Sequence, residues 1–335
     1  MSAIILLKGA KMSRFFVFIF GVLIFNPFSY AEEIFFKNGH DRLSGHYLEN
    51  TNGQPAKAVL LFVHGDGAMS YDADGYYGII WEKLRKNGYA IFSWDKPGVG
   101  DSSGNWLEQL MTERQSEVLA AIDVVQDEYH FSAKNIGLVG FSQAGWVLPA
   151  LANKSSEVGF IIGIGFATNW VEQGSYLTKI RHQIAGSNKN EIASALDAYA
   201  KEISFFQETP SYSEYLTYAG EYAMEKDRYN FVLNNFNADA RHDYSKIKVP
   251  SLFLWGEKDL NVNAKQEFEW WQSQSNKLVT TKLIENANHG MLNSDSFNSQ
   301  NMGFWQWIKL MWLEQDAFAP GFLPTVLAWL EQRNI

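Results

Sequence analysis

Apolar residues in this chain fall into short unbroken runs, separated by longer stretches with helical periodicity. Residues 58–63, 89–94, 136–139, 159–165 and 250–255 are such runs. A run of this length without polar alternation predicts a strand buried on both faces. Residues 278–284 complete the set. Between the runs, residues 76–87 are amphipathic and stop at Gly88, a helix with a glycine cap, and residues 108–129 carry a long helical pattern. Near the start, residues 34–37 and 42–48 read as two strands joined at Asn38-Gly39, a hairpin signal. Strands alternating with helices predict a mostly parallel sheet with helices on both faces.

One segment breaks the alternation. Residues 169–247 contain no clear buried strand and read as helices, among them 191–206 and 212–229, with Thr209-Pro210 between those two. An insertion of this size between core strands predicts a cap over the carboxyl edge of the sheet, where open α/β sheets bind ligands. Tyr212, Tyr215, Tyr218 and Tyr222 recur at near-helical spacing. They suit either the lining of a substrate pocket or a stripe packing the cap onto the core. Helical patterns at 303–313 and 322–332, separated by Pro320-Gly321, close the chain.

The N-terminus has a different character. Lys8, Lys11 and Arg14 precede an apolar run over residues 15–25, and Ser29-Tyr30-Ala31 places small residues at the two positions a signal peptidase reads. Residues 1–31 therefore read as a signal peptide, cleaved before Glu32, with Met12 as an alternative start. Eleven apolar residues reach about 17 Å, too short for a bilayer core, so no stable membrane anchor is expected. The expected divisions are the signal at 1–31, a core at 32–168 and 248–335, and the cap at 169–247.

Net charge is −9, and removing the three N-terminal cations leaves 25 basic side chains against 37 acidic ones, a balance of −12. An acidic body without a basic patch excludes the usual electrostatic footprint for nucleic acid. The chain has no cysteine. Disulfides, thiol catalysis and a lipidated N-terminal cysteine are thereby excluded. An exported location, periplasmic or extracellular, is compatible with that composition.

The chemistry concentrates at Gly140-Phe141-Ser142-Gln143-Ala144-Gly145, directly after the run at 136–139. A buried strand, a tight turn and a helix beginning near Gln143 would hold the Ser142 hydroxyl exposed on a strained backbone. Gly140 and Ala144 flank the serine where strand and helix crowd, and Gly145 allows the helix close to the sheet. A serine needs a base. Of seven histidines, His289 stands out in Ala287-Asn288-His289-Gly290-Met291, in the loop after the last strand and on the Ser142 side of the sheet. His64 is its competitor. The base needs an acid to hold its tautomer. Asp259, in the turn after the penultimate strand, is the first candidate, with Glu257 and Asp295 as alternatives.

The chain order Ser142, Asp259, His289, each after its own strand, resembles the α/β-hydrolase fold family. The resemblance covers about residues 58–330 and is strongest toward secreted bacterial esterases and serine aminopeptidase-like hydrolases. Asp95-Lys96-Pro97-Gly98-Val99-Gly100-Asp101-Ser102 and Trp329-Leu330 also match that pattern. The resemblance implies that His64-Gly65-Asp66-Gly67 supplies one oxyanion-hole N–H, from Asp66, and that Gln143 supplies the other. It implies acyl transfer to water with no metal or organic cofactor, on a small-molecule ester. A peptidase or amidase of the aminopeptidase-like kind is the alternative enzyme, and a non-catalytic binding protein is the alternative class. Two departures stand out. Ala144 occupies a usual glycine position, and Asp66 sets a carboxylate beside a hole meant for negative charge, so its side chain must point away or be paired.

Overall fold

The computed structural model describes residues 31–333, so the signal-peptide reading lies, apart from Ala31, outside the described residues. The strands are β1 (Glu32–Asn38), β2 (Asp41–Leu48), β3 (Ala58–Val63), β4 (Tyr89–Trp94), β5 (Ile136–Phe141), β6 (Phe160–Ile164), β7 (Ser251–Gly256) and β8 (Val279–Ile284). They form one sheet in the order β1-β2-β4-β3-β5-β6-β7-β8. β2 pairs antiparallel with both β1 and β4, and the other pairs are parallel. This is the α/β architecture that the alternating runs predict.

β3 explains why those runs are unbroken. Val59, Leu61 and Val63 face one core cluster, while Ala58, Leu60 and Phe62 face another. Both faces are dry, so both alternating sets must be apolar. On one face Val118, Ile122 and Val125 of α2 (Met111–Asp127) and Leu148 and Leu151 of α3 (Leu148–Lys154) fill the first cluster. On the other, Tyr77, Ile80, Trp81 and Leu84 of α1 (Tyr76–Lys86) fill the second.

Between β6 and β7 the chain makes five helices: α4 (Trp170–Ile184), α5 (Lys189–Gln207), α6 (Tyr212–Ala219), α7 (Lys226–Asn235) and α8 (Arg241–Tyr244). The pattern over 212–229 predicts one helix, and the structure breaks it. Gly220 takes φ 57°, in the left-handed region, which ends α6 and turns the chain into α7. Tyr215 is fully buried among Phe206, Tyr229 and Phe236, in a cluster belonging to these helices alone. Tyr218 and Tyr222 are exposed. Tyr215, with Tyr212 beside it, therefore packs the insertion internally, while Tyr218 stacks on Phe205 at its surface. After β7 come α9 (Ala264–Gln272), α10 (Phe304–Leu313) and α11 (Phe322–Glu331). Among the described residues no helix is long and apolar enough to cross a membrane.

Candidate active site

Ser142 follows β5 directly and has φ 48°, a left-handed conformation unusual for a residue with a side chain. The turn after it is tighter than the sequence suggests. Residues Ser142–Trp146 form a 3-10 turn, and the α-helix begins only at Leu148. Crowding explains the small residues. A Cβ on Gly140 would lie 2.9 Å from the Ala144 Cβ, and one on Gly145 would lie 2.8 Å from Phe166. Alanine fits at 144 because the methyl points at a glycine.

His289 lies in the loop after β8. Asn288 pins this loop by accepting the N–H groups of Gly290 and Leu292, each at 3.0 Å, and donating to Phe297 O at 2.9 Å. The Tyr76 hydroxyl donates to Gly290 O at 2.7 Å. The loop after β7 approaches it closely, because a Cβ on Gly256 would lie 2.2 Å from Asn288 O. Lys258 N–H donates to Ala287 O across the two loops. This packing delivers Asp259 to His289: Nδ1 stands 2.7 Å from Oδ2 of a carboxylate with no exposed surface. The other carboxylate oxygen accepts the N–H groups of Asn261 and Val262 at 2.7 and 2.8 Å. The Asp259 bond makes Nδ1 the protonated nitrogen and leaves Nε2 as the basic one. Burial works to lower the His289 pKa, but the Asp259 charge and hydrogen bond outweigh it and hold it above the ordinary 6.5.

Register brings His289 to Ser142. Phe141 pairs with Ile164 across β5 and β6, so the next residues, Ser142 and Gly165, are neighbours. The His289 ring lies on Gly165, where a Cβ would stand 2.8 Å from Cε1. Among the described residues no hydrogen bond joins Ser142 to His289. Such bonds are often long until substrate binds.

The other candidates lie elsewhere. His64 is buried, with Nε2 2.6 Å from Trp94 O; desolvation, with Lys96 nearby, pushes its pKa down to about 3. Glu257 is exposed and accepts from Asn286 N–H, while Asp295 accepts from the Asn286 amide. Neither acid touches His289.

Asp66 is paired, as its position demands. Arg228 of α7 grips it with both nitrogens at 3.0 and 2.8 Å, and the Gln143 amide donates to it at 3.3 Å. Burial works to raise the Asp66 pKa, and Arg228 outweighs it, holding the carboxyl below the usual carboxylate range. Arg114 of α2 donates to Gln143 Oε1 at 2.7 Å and to His64 O at 2.5 Å. Arg228 and Arg114 sit in ordinary helical patterns with nothing local to mark them. Only the fold brings them to the site.

Two cavities flank this centre. One of about 110 Å³ is lined by Ser142, Asp66 and Gln143, and by Trp170, Leu177 and Arg228 from the helices inserted between β6 and β7. The other, about 320 Å³, is lined by His289 itself with Met69, Tyr76, Asn288, Met302 and Trp307. The Tyr176 hydroxyl of α4 donates to Asp259 O at 2.8 Å, a second tie between cap and site. Among the described residues no cluster of three or more metal-ligating side chains occurs.

A family model described as "Alpha/beta hydrolase family" matches residues 60–297. No curated protein matches the sequence. Among solved structures, an esterase of Pyrococcus furiosus is 16% identical with a TM-score of 0.55, covering 91% of each chain. A proline iminopeptidase of Mycobacterium smegmatis is 14% identical with a TM-score of 0.57, covering 90% of this chain and 99% of that one. Est1E of Butyrivibrio proteoclasticus, solved with ferulic acid bound, is 14% identical with a TM-score of 0.52, covering 84% and 97%. At such identities the likeness is one of fold.

Proposed function

The chain belongs to the alpha/beta hydrolase family, and on that premise we propose that it is an exported serine hydrolase that cleaves small, uncharged carboxylic esters through an acyl-enzyme on Ser142. The observation that carries this reading is the Asp259–His289 pair, 2.7 Å apart, with its imidazole on the residue next in register to a strained serine. His289 Nε2 takes the Ser142 proton as Oγ attacks the ester carbonyl. The backbone N–H groups of Asp66 and Gln143 hold the oxyanion. As the intermediate collapses, His289 returns the proton to the leaving alcohol. Water then attacks the acyl-serine, again losing a proton to His289, and releases the acid with Ser142 restored.

Because His289 must protonate the alcohol, the alcohol belongs on its side, in the cavity of about 320 Å³, and the acyl group in the cavity of about 110 Å³ beside Ser142. The reading is thus a short acyl chain on a larger alcohol.

The test is fluorophosphonate labelling and hydrolysis of p-nitrophenyl acetate and butyrate, alongside the matching arylamides. Ser142→Ala is expected to lose labelling and on the order of a thousandfold or more in rate, with an unchanged melting curve. A variant keeping a tenth of the activity would remove Ser142 from the mechanism. For export, N-terminal sequencing of protein recovered outside the cytoplasm should read from Glu32; a start at Met1 or Met12 argues against the leader.

A further inference from the structure

Lys96 is an unusual lysine. It follows β4 and is 1% exposed, and among the described residues its ammonium forms no direct ion pair; the Asp66 and Glu117 carboxylates act on it only through space, against the charges of Arg114 and Arg228. Nζ donates to Gly65 O at 2.6 Å and to Gly67 O at 3.0 Å, and it stands 5.0 Å from the centre of the Trp106 ring. Among the described residues its direct partners are therefore two backbone carbonyls and an aromatic face. Burying an ammonium is costly, and a well-packed apolar side chain there would often serve stability as well. The choice of lysine calls for another reason.

The carbonyls it binds supply one. No peptide in the described chain is cis. In a trans peptide the C=O of one residue and the N–H of the next point in opposite directions. Lys96 draws the Gly65 carbonyl to itself, so it turns the Asp66 N–H the other way. Gly65 itself lies beside the serine, where its Cβ would stand 3.4 Å from the Ser142 Cβ. Arg114 does the same to the preceding peptide by holding His64 O. We propose that Lys96 is a positioning residue of the reaction: its bond to Gly65 O fixes the peptide whose N–H, that of Asp66, holds the oxyanion. This rests on the serine-hydrolase reading above. It also explains how a loop carrying an acidic residue serves as an oxyanion hole. Arg228 holds the Asp66 side chain, Lys96 the backbone, and the two cations lie on separate elements, α7 and the end of β4.

The test compares Lys96→Met and Lys96→Arg with the wild type. Methionine fills the volume without a donor. Arginine keeps the charge but carries its donors on a longer, planar group that reaches a different point. Each is assayed for kcat and KM on p-nitrophenyl butyrate and for inhibition by an alkyl trifluoromethyl ketone, whose serine adduct places an oxyanion in the hole. Misplacing one donor predicts a loss of kcat on the order of a hundredfold, KM within about threefold, and a ketone inhibition constant weakened by the same factor as kcat/KM. A purely structural staple would lower the melting temperature and leave that correlation absent. Either folded variant with wild-type kcat and ketone affinity overturns the proposal, as does a loss confined to KM. If the wild type is not labelled by fluorophosphonate at Ser142, the serine-hydrolase reading fails and Lys96 falls with it. If it is labelled and the variants keep their rate, only the Lys96 proposal fails.

Discussion

At the scale of single residues, Asp259 and Glu257 illustrate how two acids two positions apart acquire different lives. Glu257 follows β7 immediately and points to solvent, where Lys258 and the Asn286 N–H meet it. Asp259 lies one turn further on, and the turn's own N–H groups organise its carboxylate toward His289. Asp259→Asn is therefore expected to cost on the order of 10³–10⁴ in kcat, while Glu257→Gln and Asp295→Asn stay within about threefold. The pH profile offers a second check. His289 must be neutral to act as base, so activity rises with pH through its pKa. Asp259 raises that pKa from its ordinary value, so the acidic limb should be shifted upward from where a free imidazole would put it. In the residual activity of Asp259→Asn that limb should move to lower pH. An unmoved limb would separate Asp259 from the titrating base.

At the scale of elements, α9 carries a carboxyl in a costly place. Glu267 is 7% exposed and accepts the Thr168 N–H at 3.1 Å and its hydroxyl at 3.3 Å, tying α9 to the start of the cap connection. Burial prevails over these two hydrogen bonds, which work to lower its pKa, and pushes it up to about 7. The folded chain then holds a proton that the unfolded chain has released above the ordinary glutamate value. Stability due to this group accordingly falls as pH rises from about 4.5 to 7 and stays low beyond. Glu267→Gln keeps the acceptor and removes the charge. It should raise the melting temperature by several degrees at pH 8 and by little at pH 4. Equal effects at both pH values would show that Glu267 is not titrating in this range.

At the scale of the whole molecule, the helices inserted between β6 and β7 are held to the sheet edge that carries Ser142 by Arg228–Asp66 and by Tyr176–Asp259, and Trp170 and Leu177 from them line the cavity of about 110 Å³. Arg228, the cation at that cavity, is neutralised by Asp66, and the chain as a whole carries −9. Short uncharged acyl groups should therefore be preferred, and anionic substrates disfavoured by repulsion. In a series of p-nitrophenyl esters, kcat/KM should fall at least about tenfold from butyrate to octanoate. Leu177→Ala should flatten that fall by lengthening the cavity, and folded casein should not be digested. Activity that climbs into long acyl chains, or efficient casein digestion, would show that the cap is not the filter.

The sequence by itself determined the sheet and its class, because strands buried on both faces must be apolar at every position and so announce themselves in local runs. It also singled out Ser142, Asp259 and His289 as residues following strands, since the carboxyl ends of parallel strands share one edge. It did not determine which acid would meet His289. That depends on Gly256 letting two loops approach, a contact between segments about thirty residues apart. The 3-10 turn after Ser142 and the break at Gly220 likewise follow from crowding and backbone conformation that helical periodicity does not register. The tyrosines at 212–222 have a spacing that fits a lining or a core equally, and only the packing of α5, α6 and α7 assigned Tyr215 to the interior of the cap. Lys96, Arg114 and Arg228 were decided by tertiary structure alone. Each lies in a different segment, and a buried cation looks the same in sequence as an exposed one until its carbonyl or carboxylate partner is brought to it.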